Sequence, residues 1–281
     1  MDLISISLLI SVLLVVLLGS GVWIAIALLA CGWVGMQFAP GSIPAGSVLA
    51  TKIWGNAASW ELAALPLFIW MGEILFRSRL SDEMFRGLAP WLGWLPGRLL
   101  HVNVLGCGIF AAACGSSAAT MATIGRISLP ELSRRGYPSE LSMGALTSAG
   151  TLGIMIPPSI TFIVYGVSAE VSIARLFAAG IIPGLVLMAL FMGYLMVWAI
   201  MNPDRMPVAE PRTSFVEKLR SSRHLIPIVA LIALVIGSIY TGIATPTESA
   251  ALGVAGALIL SALSGTLTWQ SFVESIREAV R

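Results

Sequence analysis

Two apolar stretches that break where a helix should run straight constrain this chain more than any other feature. They are Gly106–Ser117, reading GCGIFAAACGSS, and Thr151–Ser159, reading TLGIMIPPS. Each lies within an apolar run long enough to enter a bilayer. Irregular backbone is costly in lipid because unpaired amide and carbonyl groups find no water there, so it occurs where it lines a polar cavity. Two such breaks, both flanked by small hydroxyl residues, predict an ion or substrate site near the membrane midplane.

Composition agrees with a membrane setting. Of 281 residues, 57% are hydrophobic and 11% are charged, against about 25% charged in a soluble domain; mean hydropathy is +0.93. A net charge of +2 gives no case for nucleic-acid binding. Cys31, Cys107 and Cys114 sit in apolar sequence at no metal-ligand spacing, so they read as small buried side chains and not as a disulfide framework or zinc site. Asp2 is the only early charge, and without a basic n-region no cleaved signal peptide is expected.

Apolar segments fall near residues 3–18, 22–38, 58–76, 99–125, 141–165, 179–201, 225–240 and 245–263. Three basic stretches separate them: Arg77–Arg98, Arg126–Glu140 and Asn202–His224. All three read as cytoplasmic loops by the positive-inside rule. Leu99–Gly125 then has both ends on one side. It should enter from the cytoplasm, turn at Cys114–Ser117 and return, each arm of about 13 residues being roughly 20 Å long. A single span with a small-residue packing face is the competing reading.

The segment Leu141–Tyr165 should cross once, interrupted. Pro157 and Pro158 carry no amide proton, so the carbonyls of Gly153 and Ile154 lose their helical donors. Freed carbonyls at midplane depth, beside the negative end of a half-helix, suit a hard monovalent cation. Gly115, Ser116 and Ser117 from the hairpin and Gly150, Thr151, Gly153 and Ile154 from the broken helix are therefore the expected sodium ligands. Ser117, Thr120 and Ser159 are the hydroxyls expected to meet a substrate. Magnesium and calcium sites usually include a carboxylate, which neither motif has.

A weak internal symmetry relates residues 13–35 to 229–256, each a pair of apolar helices followed by an amphipathic stretch (Ala45–Trp54 and Thr268–Val280). Charge parity orients the two copies oppositely, as in inverted-repeat transporters. The second copy stops at Arg281, so the chain reads as C-terminally truncated.

The motifs PLFIWMGEILF (Pro66–Phe76), CGSSAATMATIG (Cys114–Gly125), LPELSRRGYP (Leu129–Pro138), AGTLGIMIPPSITFIVYG (Ala149–Gly166), LFAAGIIPG (Leu176–Gly184) and GIATPTESAALGV (Gly242–Val254) resemble, in order, the DctM-like large permease subunit of TRAP transporters. The tip departs from the family's SGSSAAT by having Cys114 for the first serine, which leaves Gly115, Ser116 and Ser117 as the better ligand candidates. The resemblance implies an all-α polytopic, inverted-repeat, elevator-type transporter of the bacterial inner membrane. Residues 1–98 would form scaffold helices, 99–201 the first transport half, 202–224 a cytoplasmic loop and 225–281 the incomplete second repeat. It further implies sodium-driven uptake of a carboxylate, of C4-dicarboxylate or sialic-acid type. A DctQ-like small membrane subunit and a periplasmic substrate-binding protein would be the partners, with no other cofactor.

Other residues read more plainly. Glu73 should form an i,i+4 pair with Arg77 near the cytoplasmic end of its helix, and Glu248 should cap a helix start with Thr245. Arg175 is a loop charge that could meet an anion. Trp23, Trp33, Trp54, Trp60, Trp91, Trp94 and Trp269 suit interfacial anchoring. A serine hydrolase built on Ser116 or Ser117 would need a base within reach, and His101 is too far along its own helix. A channel-like or non-transporting assembly subunit is the other alternative.

Overall fold

A computed structural model describes residues 3–38, 44–207 and 214–280, and among these every regular element is helical. The chain divides into two compact units at Ser59/Trp60.

The first unit contains α1 (Leu3–Gly19), α2 (Ile24–Phe38) and α3 (Ala45–Ala57). The turn after α1 closes through Ser20 N–H to Val16 O (2.9 Å) and Val22 N–H to Leu17 O (3.2 Å), with Gly21 at φ +79°. Helices α1 and α2 pack on one another. Ile4, Leu8, Val12, Val15, Ile24 and Leu28 nevertheless face outward, which suits helices solvated by lipid.

The second unit opens with a 3-10 turn, Trp60–Ala63, and continues through α4 (Ala64–Arg77), α5 (Leu80–Leu92), α6 (Leu99–Cys114), α7 (Ser117–Arg134), α8 (Ser139–Gly150), α9 (Leu152–Met155) and α10 (Ile160–Ser168). It ends with α11 (Ile173–Met201), α12 (Phe215–Ser222), α13 (Ile226–Tyr240), α14 (Pro246–Leu263) and α15 (Trp269–Val280). Among the described residues, three stretches are long and apolar enough to cross a membrane: Ser139–Ser168 taken through its breaks, Ile173–Met201 and Pro246–Leu263. Helices α12 and α13 form a further candidate span bent by 52°.

Helix α6 is the axis of this unit. Every residue from Leu99 to Cys114 except Leu105 and Ile109 is buried, and α4, α5, α7, α8, α9, α11 and α13 all pack on it. A helix apolar on all sides belongs in a protein core or in lipid, and here protein supplies the surroundings. Helix α7 folds back along it: a methyl group placed on Gly106 would lie 3.7 Å from Ile124 Cδ1, the two residues being equally far from the turn. The Leu99–Gly125 segment is thus a helical hairpin, not a single span.

Two of the expected loops are largely helical. The stretch Arg77–Arg98 holds α5, whose Leu80, Met84, Phe85, Leu88 and Leu92 are buried. Its charges mark the exposed side of an amphipathic helix, which hydropathy averaging reads as loop. Arg126 lies within α7, which runs on to Arg134, and only residues 135–138 connect it to α8. The Asn202–His224 stretch contains a 3-10 turn at Pro203–Arg205 and α12; Arg212 lies outside the described residues. The Thr245–Glu248 capping box forms as expected, with Thr245 N–H donating to Glu248 Oε2 at 2.8 Å. Glu73 and Arg77 also pair, at 3.6 Å.

Candidate functional site: a hairpin tip against a broken helix

The hairpin turns within two residues. Gly115 takes the left-handed conformation (φ +62°) and closes α6 through its N–H to Ala111 O at 2.8 Å. Ser116 then caps α7, its hydroxyl accepting from Ala119 N–H at 3.4 Å. Only glycine adopts this geometry at no steric cost.

The second element breaks twice. Helix α8 ends at Gly150, the single turn α9 ends at Met155, and extended backbone at Ile156 leads through Pro157 and Pro158 to α10. Pro157 and Pro158 are joined by a cis peptide bond. Ile156 N–H reaches Leu152 O at 2.8 Å, and the following prolines have no N–H to offer.

These two interruptions are in contact. A Cβ on Gly115 would lie 2.5 Å from Pro158 O, and one on Gly153 would lie 2.8–2.9 Å from the backbone of Ser116 and Ser117. Ile160 N–H points to Gly115 O at 3.4 Å. Gly115, Ser116, Ser117, Gly153, Pro158 and Ser159 therefore meet at one place. Gly150 is one turn away, closely packed on Met121.

The candidate ligands differ in what remains available to a ligand. Ser117 Oγ is buried and has no hydrogen-bond partner. Ile154 carbonyl oxygen, expected to be free, accepts from Ser159 Oγ at 2.7 Å: a side-chain hydroxyl replaces the donor that Pro158 removes. Thr151 is exposed, with its hydroxyl on Ser148 O at 2.6 Å. Thr120 is fully buried and shares a hydrogen bond with Cys114 Sγ at 3.3 Å. His101 Nε2 lies 2.6 Å from Pro96 O at the base of α6, roughly 20 Å of helix from the tip serines.

A third element reaches the tip, which the sequence did not place there. Gly72 of α4 approaches so closely that a Cβ on it would lie 2.5 Å from Cys114 Cβ. Four residues on, Phe76 O accepts from Arg126 Nη2 of α7 at 2.9 Å. Helix α4 thus runs past the tip to meet α7 at Arg126, and Glu73 lies beside the tip. A pocket of about 340 Å³ there is lined by Ile69, Gly72 and Glu73 of α4 and by Cys114, Ser116, Ala118, Ala119 and Ala122 of the hairpin. Among the described residues no group of three or more His, Cys, Asp or Glu side chains could hold a metal ion.

Comparison with known proteins yields one consistent family. Residues 11–281 match the model for the tripartite ATP-independent periplasmic transporter, DctM component. The C4-dicarboxylate TRAP transporter large permease protein of Pseudomonas aeruginosa is 36% identical over 217 residues, 77% of this chain and 49% of that protein. The ectoine/5-hydroxyectoine TRAP large permease protein of Ruegeria pomeroyi is 32% identical over 250 residues, 89% of this chain and 58% of that one. The isethionate TRAP transporter permease protein DctMQ of Oleidesulfovibrio alaskensis is 34% identical over 245 residues, 86% of this chain and 38% of that one. The chain spans about half the length of the relatives it matches.

Proposed function

Because the chain belongs to the DctM family of tripartite ATP-independent periplasmic transporters, we propose that it is the first half of a large permease subunit that moves a small organic anion by sodium-coupled alternating access. C4-dicarboxylates are the leading substrate class, since relatives at 33–36% identity are named for them; sialic acid is a second carboxylate of the same kind. Relatives named for ectoine and isethionate mark the breadth of the family. A periplasmic binding protein would deliver the substrate, and a small DctQ-like subunit would flank the permease in the inner membrane. The relative named DctMQ is consistent with that pairing. Residues 99–201 would be the moving part.

The observation that carries the reading is the meeting of Ser117, whose buried hydroxyl has no partner, with a helix broken at Pro157. Such a junction can bind an ion in one position of the hairpin and release it when the hairpin shifts. Sodium would draw on the Ser117 hydroxyl and on the Gly153 carbonyl, which Pro157 leaves without a helical donor. Ser116, Gly115, Gly150, Thr151 and Ile154 would line the approach.

Counterflow of radiolabelled succinate in proteoliposomes, with the partner subunit and binding protein present, tests the carrier reading. Exchange that requires sodium supports it. Sodium-independent leak without exchange would instead identify a channel-like or assembly role. Ser117→Ala should shift half-activation to roughly tenfold higher sodium, about 1.4 kcal/mol of binding.

A further inference from the structure

Helix α4 brings a carboxylate to the hairpin tip on its other side. We propose that Glu73, with Ser116, forms a second sodium site in the pocket between α4 and the tip, separate from the ion held against the broken helix. The inference rests on the reading of the chain as part of an ion-coupled carrier.

Charge balance is the first argument. Arg77 is shared between two carboxylates: its Nη1 is 2.7 Å from Glu274 Oε2 of α15, while its Nε is 3.6 Å from Glu73 Oε2. The strong, short bond goes to Glu274, and Glu73 keeps only the long contact. Arg77 thus serves two carboxylates, and the charge of Glu278 on α15 also acts on Glu73. The cation on the adjoining hairpin arm, Arg126, is held elsewhere, at 2.9 Å from Phe76 O and 4.4 Å over the Phe76 ring. An under-compensated carboxylate inside an apolar helix is costly, and a bound cation relieves that cost.

The pocket itself is the second argument. Apart from Glu73, its polar side chains are Ser116 and Cys114, and the Cys114 thiol is engaged with Thr120. Ala118, Ala119 and Ala122 are small on the α7 face that borders it, which leaves about 340 Å³. A water occupies about 30 Å³ of liquid, so a partly hydrated ion has room. The tip offers both the C-terminus of α6 and the N-terminus of α7, whose dipole ends oppose each other. The sign of the pocket is then set by Glu73. One carboxylate with hydroxyl and water oxygens suits a monovalent cation, whereas magnesium and calcium generally recruit more charge.

The site also has a place in the cycle. Gly72 touches the tip at Cys114, so any sliding of the hairpin along α4 separates Ser116 from Glu73 and opens the pocket. An ion bound there would favour one position of the hairpin, which is how a ligand shifts a two-state equilibrium.

Binding of radioactive sodium to the purified chain in nanodiscs is the test, with melting followed in sodium chloride and in choline chloride. Glu73→Gln keeps the shape and removes the charge; Ala122→Leu fills the pocket without altering Glu73, so the test survives if one variant fails to fold. Each should weaken one sodium site at least tenfold and abolish its share of the sodium-dependent rise in Tm. Ser117→Ala should leave the Glu73 site intact. If Glu73→Gln lowers Tm equally in both salts and leaves the sodium isotherm unchanged, Glu73 only ties α4 to α15 and the proposal is overturned. If Ser117→Ala removes all sodium binding, one site is all there is and the second-site proposal fails while the tip–break reading stands. Loss in Glu73→Gln with no effect of Ser117→Ala would do the reverse.

Discussion

Among the described residues, two apolar helical hairpins have glycine–serine turns, and they solve opposite problems. In α1–α2 the turn at Ser20 and Gly21 closes with three backbone hydrogen bonds, and nothing lies within 4 Å of where a Gly21 or Gly32 side chain would go. In α6–α7 the turn at Gly115 and Ser116 is pressed against two other elements, with a hypothetical methyl on Gly72, Gly115 or Gly153 falling within 3 Å of existing atoms. Large aliphatic residues cover the first hairpin and face outward. Alanine, glycine, serine and threonine make the tip of the second, buried among helices. The first hairpin is shaped by lipid, which accepts any apolar outline; the second is shaped by protein, which accepts only one.

The difference breaks most sharply at the glycines of the second hairpin. Gly115→Ala adds left-handed strain, roughly 1–2 kcal/mol, to a clash with Pro158 O. Overpacking costs about 1–3 kcal/mol, so the expected total is about 2–5 kcal/mol. Gly153→Ala, with ordinary φ, should lose only the overpacking part. Thermal unfolding in detergent should rank wild type above Gly153→Ala above Gly115→Ala. Equal, small effects would mean that the tip does not sit in the break.

Sequence made the turn and the break legible because both depend on residues with unusual backbones, glycine and proline. The same holds for the Thr245–Glu248 cap, where a hydroxyl and a carboxylate three residues apart have few other uses. Three features were hidden. Helix α5 carries its apolar residues at helical spacing among Arg79, Asp82, Glu83 and Arg86, and the charges dominate any average. The approach of Gly72 and Glu73 to the hairpin tip joins segments far apart in the chain, and neither carries a motif that announces it. The Ser159 hydroxyl on Ile154 O depends on the local path of the backbone through two prolines, which composition does not reveal. What escaped was tertiary: where one helix lies against another.

A middle-sized effect should come from Pro157. The first hairpin's turn leaves its carbonyls paired, whereas Pro157 leaves Gly153 O without a helical donor. Pro157→Ala restores an N–H that can reach it. Sodium affinity should fall roughly tenfold, about 1.4 kcal/mol, with Tm in choline chloride unchanged or raised. An unaltered sodium isotherm at normal folding would mean that the Gly153 carbonyl is not a ligand.

The smallest effects should separate backbone from packing within the first hairpin. Gly21 has φ +79° in open surroundings, so Gly21→Ala meets only the left-handed penalty. Part of that penalty is offset because alanine orders less freedom on folding than glycine, leaving a cost of about 1 kcal/mol. Gly32 lies inside α2 with equally open surroundings, and there alanine should stabilise by about 0.5–1 kcal/mol through helix propensity alone. Opposite signs at two glycines eleven residues apart would show that space is free at these two positions, unlike Gly35, where a Cβ would lie 3.0 Å from Ile10 Cδ1, and that only backbone conformation is constrained there. If Gly32→Ala destabilises instead, α2 is packed against a neighbour at that face, and the first hairpin is shaped by protein contact after all.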